Sequence, residues 1–525
     1  MNRMLRSAFA FTLAAVAAVG TARAEATLDF AWPSNVGPLN PHQYSPNQMF
    51  AQGMVYEPLV RYLPDGSVGA WLATSWEISP DGRVYTFRLR EGVTFSDGTP
   101  FDATAVKLNF EAVMKNRERH DWLELVNQME SVEAVDPLTV RLTLKGPYYP
   151  ALQDLALVRP VRFLAPSGFP EDGDTAEKIG APIGTGPWMR IETRLGEYDL
   201  FARNPRYWGD APAFDQVKVK VIPDPNSRAV ALETGDVDLV YGADGPISAD
   251  AFARFQGTGR FQAAISEPLA TRVIALNSNR APTNELAVRQ AINHAVDKDA
   301  LIAGVLYGLE RRADTLFSTN LPYADVGLAP YAFDATKAEA LLEAAGWTRP
   351  APGATRTKDG APLALELAFV GNDATHKAIA EVIQANLAAI GFEVSLIGEE
   401  PSAFYARQND GRFGMIFGDT WGTPYDPHSF ASSMRVPSHA DYQAQLGLPM
   451  KADIDATIGA VLVSTEESER AALWRSLLTT LHEQAVYLPL SYKTMIAVAR
   501  PEVTGLSFGA TEYEIPFEKL RPAGN

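Results

Sequence analysis

Near the start of the chain Leu28, Phe30 and Trp32 alternate with Asp29 and Ala31, a period of two that predicts a half-buried strand. The stretch Asn35–Pro46, rich in Pro, Asn and Gly, reads as loop. Tyr85, Phe87 and Leu89 restore the alternation through Val84–Arg90. Ser96-Asp97-Gly98 then turns the chain into a helix with Asp102 as N-cap. Phe101 and Val106 sit at the two positions of a hydrophobic staple, and Val106, Phe110, Val113 and Met114 form the buried stripe. Further on, Leu363, Leu365, Leu367 and Phe369 alternate as a strand. Ile379, Val382, Ile383, Leu387 and Ile390 then repeat at helical spacing up to Gly391, a C-terminal stop, and Phe392, Val394 and Leu396 alternate again. Strand, helix and strand within about 35 residues predict a βαβ unit with a parallel pair and a right-handed crossover. The chain therefore reads as mixed α/β in both halves, with Arg349–Gly360 as a surface loop.

At 525 residues the chain is long enough for more than one core, since single domains usually run to ~100–200 residues. The net charge of −17 repels phosphate backbones and anionic lipid, which argues against a nucleic-acid partner. There is no cysteine, so disulfides, thiolate nucleophiles and Cys-ligated metals are excluded. Arg3 and Arg6 precede an apolar run from Ala8 to Val19, followed by Ala22-Arg23-Ala24. That order is the n-region, h-region and cleavage site of a secretory signal over residues 1–24. No later segment is an uninterrupted apolar run long enough to span a bilayer, so the mature protein is expected outside the cytoplasmic membrane without inserting into it.

Motifs for catalysis are missing. G-x-S-x-G, H-E-x-x-H, the phosphate-loop pattern and G-x-G-x-x-G do not occur, and Ile183-Gly184-Thr185-Gly186-Pro187-Trp188 suits a tight turn better than a nucleotide cradle. The expectation is a protein that is not an enzyme. The seven histidines, His42, His120, His294, His376, His428, His439 and His482, form no H-x-H or H-x-x-x-H pair. Only His428 and His439 share a neighbourhood, so spacing alone proposes no metal site.

Several stretches, taken together, resemble the solute-binding proteins of ABC importers for peptides and nickel. They are Tyr56-Glu57-Pro58-Leu59-Val60, Trp71-Leu72-Ala73-Thr74-Ser75-Trp76, Phe95-Ser96-Asp97-Gly98-Thr99-Pro100-Phe101, Gly184-Thr185-Gly186-Pro187-Trp188, Asn204-Pro205-Arg206-Tyr207-Trp208 and Gly235-Asp236-Val237-Asp238-Leu239. More particular segments resemble the nickel-binding members: Leu39-Asn40-Pro41-His42 through Phe50, Asn116-Arg117-Glu118-Arg119-His120, Arg412-Phe413-Gly414-Met415-Ile416-Phe417, Tyr425-Asp426-Pro427-His428 and Ser433 through Asp441. The resemblance covers essentially the whole mature chain. Dipeptide binders carry an aspartate just before the Asp-Pro step to pair with the peptide amine, whereas Trp421-Gly422-Thr423-Pro424-Tyr425 brings no carboxylate there.

The resemblance implies a two-lobed periplasmic-binding-protein fold of type II with an extra subdomain in the first lobe. Residues 25–268 with 494–525 would form lobe I, including the subdomain at about 67–190, and residues 269–493 would form lobe II, with hinges near 268 and 494. It also implies nickel taken in the periplasm as a chelate with a small carboxylate metallophore or histidine, by a monomer that delivers it to an inner-membrane ABC permease. A dipeptide, oligopeptide or other small anionic solute is the alternative. By matching motifs Arg119 and Arg159 would contact chelator carboxylates, Trp122 and Trp421 would wall the cleft, Tyr44, Ser45, Met49 and Tyr425 would line it, and His439 would bind the metal. Taken alone, Arg119 reads as a solvated helical arginine, the tryptophans and Met49 as core, and His439 as an exposed loop residue. Tyr513 departs from the smaller hydroxyl residue of the nickel-binding members.

Overall fold

A computed structural model describes residues 25–43, 49–243 and 246–524. The expected first strand is Thr27–Trp32, parallel to both Gln216–Val221 and Leu239–Gly242. It lies at the centre of a seven-stranded sheet that runs Gln262–Ile265, Ile496–Ala499, Leu239–Gly242, Thr27–Trp32, Gln216–Val221, Tyr198–Arg203, Trp188–Arg194. Leu28 and Phe30 are fully buried beneath it with Trp188 and Phe517.

A six-stranded sheet builds the other lobe, in the order Arg311–Arg312, Tyr487–Lys493, Ala270–Leu276, Met415–Asp419, Ala364–Val370, Glu393–Glu399. The expected βαβ unit supplies its parallel pair, Ala364–Val370 with Glu393–Glu399, joined by the helix Ala374–Ala389. The Asp373 carboxylate caps that helix by accepting from the His376 N–H at 2.8 Å, and Gly391 takes the left-handed conformation, φ 96°, that ends it. One expectation is corrected next to this unit. Arg349–Gly360 is not a bare surface loop, because Arg356 is buried and donates to the carbonyls of Ile390 at 2.8 Å and Trp347 at 2.9 Å. A guanidinium can satisfy several carbonyls at once, which lets a Pro- and Gly-rich segment fold over the helix end.

The third unit is a four-stranded sheet, Ala73–Ile78, Val84–Leu89, Thr139–Leu144, Met129–Asp136, packed on the helix Ala103–Lys115. Its N-cap is as expected: Asp102 accepts from the Ala105 N–H at 2.9 Å, and the staple residues Phe101 and Val106 are buried. One core cluster runs from this unit into Phe430, Trp474 and Leu477 of the lobe built on the six-stranded sheet.

Only short segments join the two large sheets, one between Ile265 and Ala270 and the other between Lys493 and Ile496. They bind each other: Ser266 N–H to Met495 O at 2.9 Å, Met495 N–H to Ser266 Oγ at 2.8 Å and Leu269 N–H to Lys493 O at 3.0 Å. The Gly184–Trp188 motif has a packing origin. It runs against the end of the helix Met49–Val55 so closely that a β-carbon at Gly184 would stand 2.0 Å from the Val55 carbonyl oxygen, and one at Gly186 2.5 Å from that of Met54. We therefore expect Gly184→Ala to destabilise the protein by about 1–3 kcal/mol, the usual cost of overpacking. Thermal or urea unfolding checks this, and an unchanged midpoint contradicts it.

Candidate functional site

Between the lobes lies a cleft of about 960 Å³, lined by Gln43, Met49, Arg119, Trp122, Arg159, Asp419, Thr420, Trp421, Tyr425, His439, Lys493, Glu512 and Tyr513. The structure thus gathers Met49, Arg119, Trp122, Arg159, Trp421, Tyr425 and His439 in one place, although they span most of the chain. Tyr44 and Ser45, also expected there, lie outside the described residues.

Arg159 stands on the segment after the helix Ala151–Leu155, almost fully buried, with its guanidinium carbon 4.6 Å above the Trp122 ring. A guanidinium on an aromatic face keeps its charge while sharing it with the ring quadrupole. Three residues on, the buried Arg162 fixes this segment by donating to the carbonyls of Leu157 at 2.8 Å, Ala156 at 3.2 Å and Tyr56 at 3.0 Å. Burial lowers the Arg162 pKa to about 10, opposed by the charges of Glu514 and Glu57. Arg119 is held differently: half exposed in the turn Arg117–His120, it donates to the Ala176 carbonyl at 2.6 Å and pairs with Glu177.

From the other lobe Trp421 and Tyr425 complete an aromatic wall, with Trp122–Tyr425 centroids 6.1 Å apart, Trp421–Tyr425 6.3 Å and Tyr425–Tyr513 5.9 Å. Tyr513, the departure noted in the sequence, is therefore a cleft residue. The Trp421–Tyr425 loop closes on Asp426, whose carboxylate accepts from the Trp421 and Gly422 N–H groups at 3.1 Å each. Burial raises the Asp426 pKa to about 7 against those hydrogen bonds, and the Glu512 charge adds to the rise.

His439 is half-buried at the N-cap of the helix Ala440–Gln445, its ring 5.6 Å from that of Trp421. It is not the exposed loop histidine that its local sequence suggests. Burial lowers its pKa, which keeps the imidazole neutral with a lone pair available to a metal. His428, its nearest sequence companion, is turned away and bonds through Nε2 to Asp154 at 3.0 Å. Among the described residues no group of three or more His, Asp or Glu side chains converges on one point that could hold an ion.

Sequence reasoning missed three charged residues of the cleft. Lys493 ends a strand of the six-stranded sheet and pairs with Asp419 at 2.7 Å, while Arg272 stands 3.9 Å behind that carboxylate and is itself paired with Glu310 at 2.9 Å. Glu512 comes from the C-terminal segment and lies against Gly422, its carboxyl carbon 3.4 Å from where a β-carbon would be. It brings to the Trp421–Tyr425 stretch a carboxylate that the local sequence does not contain. Only the sequence position of Lys493 beside the second crossover hinted at a cleft location.

Comparison with known proteins agrees with this geometry. Residues 67–442 match the family described as Bacterial extracellular solute-binding proteins, family 5 Middle. The nickel-binding periplasmic protein of Escherichia coli (strain K12) is 54% identical over 522 residues, covering 99% of each chain. A crystal structure of NikA from Brucella suis in complex with Fe(III)-EDTA superposes with a TM-score of 0.93 at 64% identity, covering 94% of this chain and 99% of that one. An ABC transporter substrate-binding protein from Sinorhizobium meliloti superposes with a TM-score of 0.80 at 32% identity, covering 95% of this chain and all of the other.

The raised pKa of Asp426 sets a pH dependence. Its folded value of about 7 lies above the ordinary 3.8, so its stabilising contribution is complete below about pH 4 and is lost as pH rises through 7. Relative to Asp426→Asn, the wild type should lose thermal stability between pH 4 and pH 8. A difference in midpoint that stays constant over that range contradicts the assignment.

Proposed function

The chain belongs to family 5 of the bacterial extracellular solute-binding proteins, and on that footing we propose that it captures nickel(II) in the periplasm as a chelate and passes it to an inner-membrane ABC permease. It acts by binding, as a monomer, with residues 1–24 removed on secretion. The chelator is a small carboxylate-bearing metallophore or histidine. The observation that carries the reading is the division of labour in the cleft: guanidinium groups on one wall, a single neutral imidazole on the other, and aromatic rings between them. The identity to the Escherichia coli nickel-binding protein and the EDTA complex of the Brucella suis protein support it.

Each residue has a task that follows from its chemistry. The Arg159 fork takes a chelator carboxylate, and Arg119 takes a second one by exchanging its contact with Glu177, because guanidinium matches carboxylate with two parallel charge-assisted hydrogen bonds. Trp122, Trp421 and Tyr425 flank the chelate and keep water from competing for those bonds. Met49 fills the lobe I side with adaptable apolar surface. Tyr44 and Ser45, outside the described residues, are proposed as further ligand contacts on the resemblance to the nickel-binding members alone. His439 supplies a nitrogen, a donor that suits nickel, to a coordination position the chelator leaves open.

Titration calorimetry with nickel(II)–L-histidine tests this. Arg159→Ala should lose about 1.5–3 kcal/mol for each charge-assisted bond removed, and His439→Ala should lose less, since water can occupy its position on the metal. Nickel without chelator should bind weakly. Loss of binding in His439→Ala with Arg159→Ala intact, or displacement of the chelate by a dipeptide, overturns the reading. The secreted protein should begin at Glu25, and N-terminal sequencing that finds Met1 contradicts the signal assignment.

A further inference from the structure

Behind Arg159 the two lobes are joined by contacts that the cleft itself does not use. Asp154, in the helix Ala151–Leu155, is fully buried and accepts from the Tyr148 hydroxyl at 2.7 Å and from His428 Nε2 at 3.0 Å. His428 opens the helix His428–Ser433, which packs on the helix Lys451–Val463 of the lobe built on the six-stranded sheet. A carboxylate only accepts hydrogen bonds, so His428 Nε2 carries the hydrogen.

The surroundings form a docking joint. The Tyr149 ring stands 6.3 Å from that of His428 at 67°, and the Tyr149 N–H donates to the Leu462 carbonyl at 3.0 Å. Arg470 lies 4.5 Å above the Tyr149 ring and donates to the Tyr323 hydroxyl at 3.0 Å. The contacts of Asp154 with His428 and of Tyr149 with His428, Leu462 and Arg470 tie residues 149–154 to residues 428–470, across the lobes.

The joint is short of the cleft by a few residues on each side. Arg159 follows Asp154 by five positions, and Arg162 holds the intervening Ala156 and Leu157 carbonyls rigidly to the same segment. Tyr425 precedes His428 by three positions and Trp421 by seven. The Asp154 charge is felt at the Tyr425 hydroxyl, whose pKa burial has already raised. A shift of the Asp154–His428 contact therefore moves Arg159 relative to Tyr425 and Trp421.

We propose that the Asp154–His428 hydrogen bond is a latch between the lobes, and that these two positioning residues set how long a solute stays in the cleft by holding Arg159 against the Trp421–Tyr425 wall. The inference rests on the reading that the cleft binds a solute between the lobes. A buried contact that spans both lobes exists only while they are together, so its loss acts on dissociation. Removing one partner also leaves the other buried without a counterpart, an effect that appears chiefly in the off-rate.

The absence of cysteine makes the test direct. Glu111→Cys and Ser468→Cys, both exposed and on opposite lobes, accept spin labels at unique sites, and their distance distribution reads the lobe separation without any solute. His428→Leu and the near-isosteric Asp154→Leu, which has no acceptor, should shift that distribution to longer distances. His428→Gln, whose amide nitrogen reaches the position of Nε2 and donates there, should restore it. With nickel(II)–L-histidine as probe, His428→Leu should dissociate about 10- to 100-fold faster while its association rate changes by less than about threefold. A purely structural pair would lower the unfolding midpoint and leave both readouts unchanged, which overturns the latch. Unchanged distances in Asp154→Leu overturn it too, even if His428→Leu does not fold. If the wild type fails to bind the probe at all, the nickel reading falls, and the distance measurement still decides the latch.

Discussion

A transition-metal ion gives up its water only when other donors replace it, and the cleft offers one imidazole. His439 is the histidine that lines it, and the two carboxylates of the lining have other neighbours: Asp419 is bound to Lys493, and Glu512 lies against Gly422. For the nickel proposed here, the remaining donors arrive with the metal. On the proposed reading that requirement gives the arginines their purpose, because a chelator able to wrap nickel carries carboxylates, and carboxylates entering a half-dry cleft need cations already in place. Arg159 meets it by lying on Trp122, a partner that holds the guanidinium in position without neutralising it.

Holding a buried charge near a cleft demands a stiff frame, and the frame is built from side chains bonded to backbone. Arg162 gathers three carbonyls from two segments, so that the end of the helix Met49–Val55 and the Arg159 segment move as one body. Asp426 does the same for the facing loop by capping Trp421 and Gly422. Glycines at 184 and 186 let the next strand pass directly over the helix end. The family motifs at Gly184–Trp188 and Tyr425–His428 thus carry parts of this frame, with cleft-lining residues interspersed among them.

Much of this was legible in the sequence, for identifiable reasons. Periodicity located the Thr27–Trp32 strand, the Asp102-capped helix and the βαβ unit around Ala374–Ala389, because each buries one face against its own neighbourhood. The cleft residues were legible only through resemblance, since Arg119, Trp122, Arg159, Trp421, Tyr425 and His439 belong to distant segments that no local pattern connects. Lys493, Asp419 and Glu512 escaped notice because a charged residue at a strand end or in a C-terminal loop looks the same whether it faces solvent or a cleft. His439 looked exposed for a similar reason: its burial comes from Trp421, eighteen positions earlier. Arg356, within a Pro- and Gly-rich stretch, is buried by a helix end that is remote in sequence.

What occupies the cleft in the cell is measured by native mass spectrometry of the protein taken directly from the periplasm, combined with metal analysis of the same sample. One nickel and one small carboxylate-bearing molecule per chain, released together on denaturation, is the expected result. Nickel alone at full occupancy, or a peptide without metal, would contradict it.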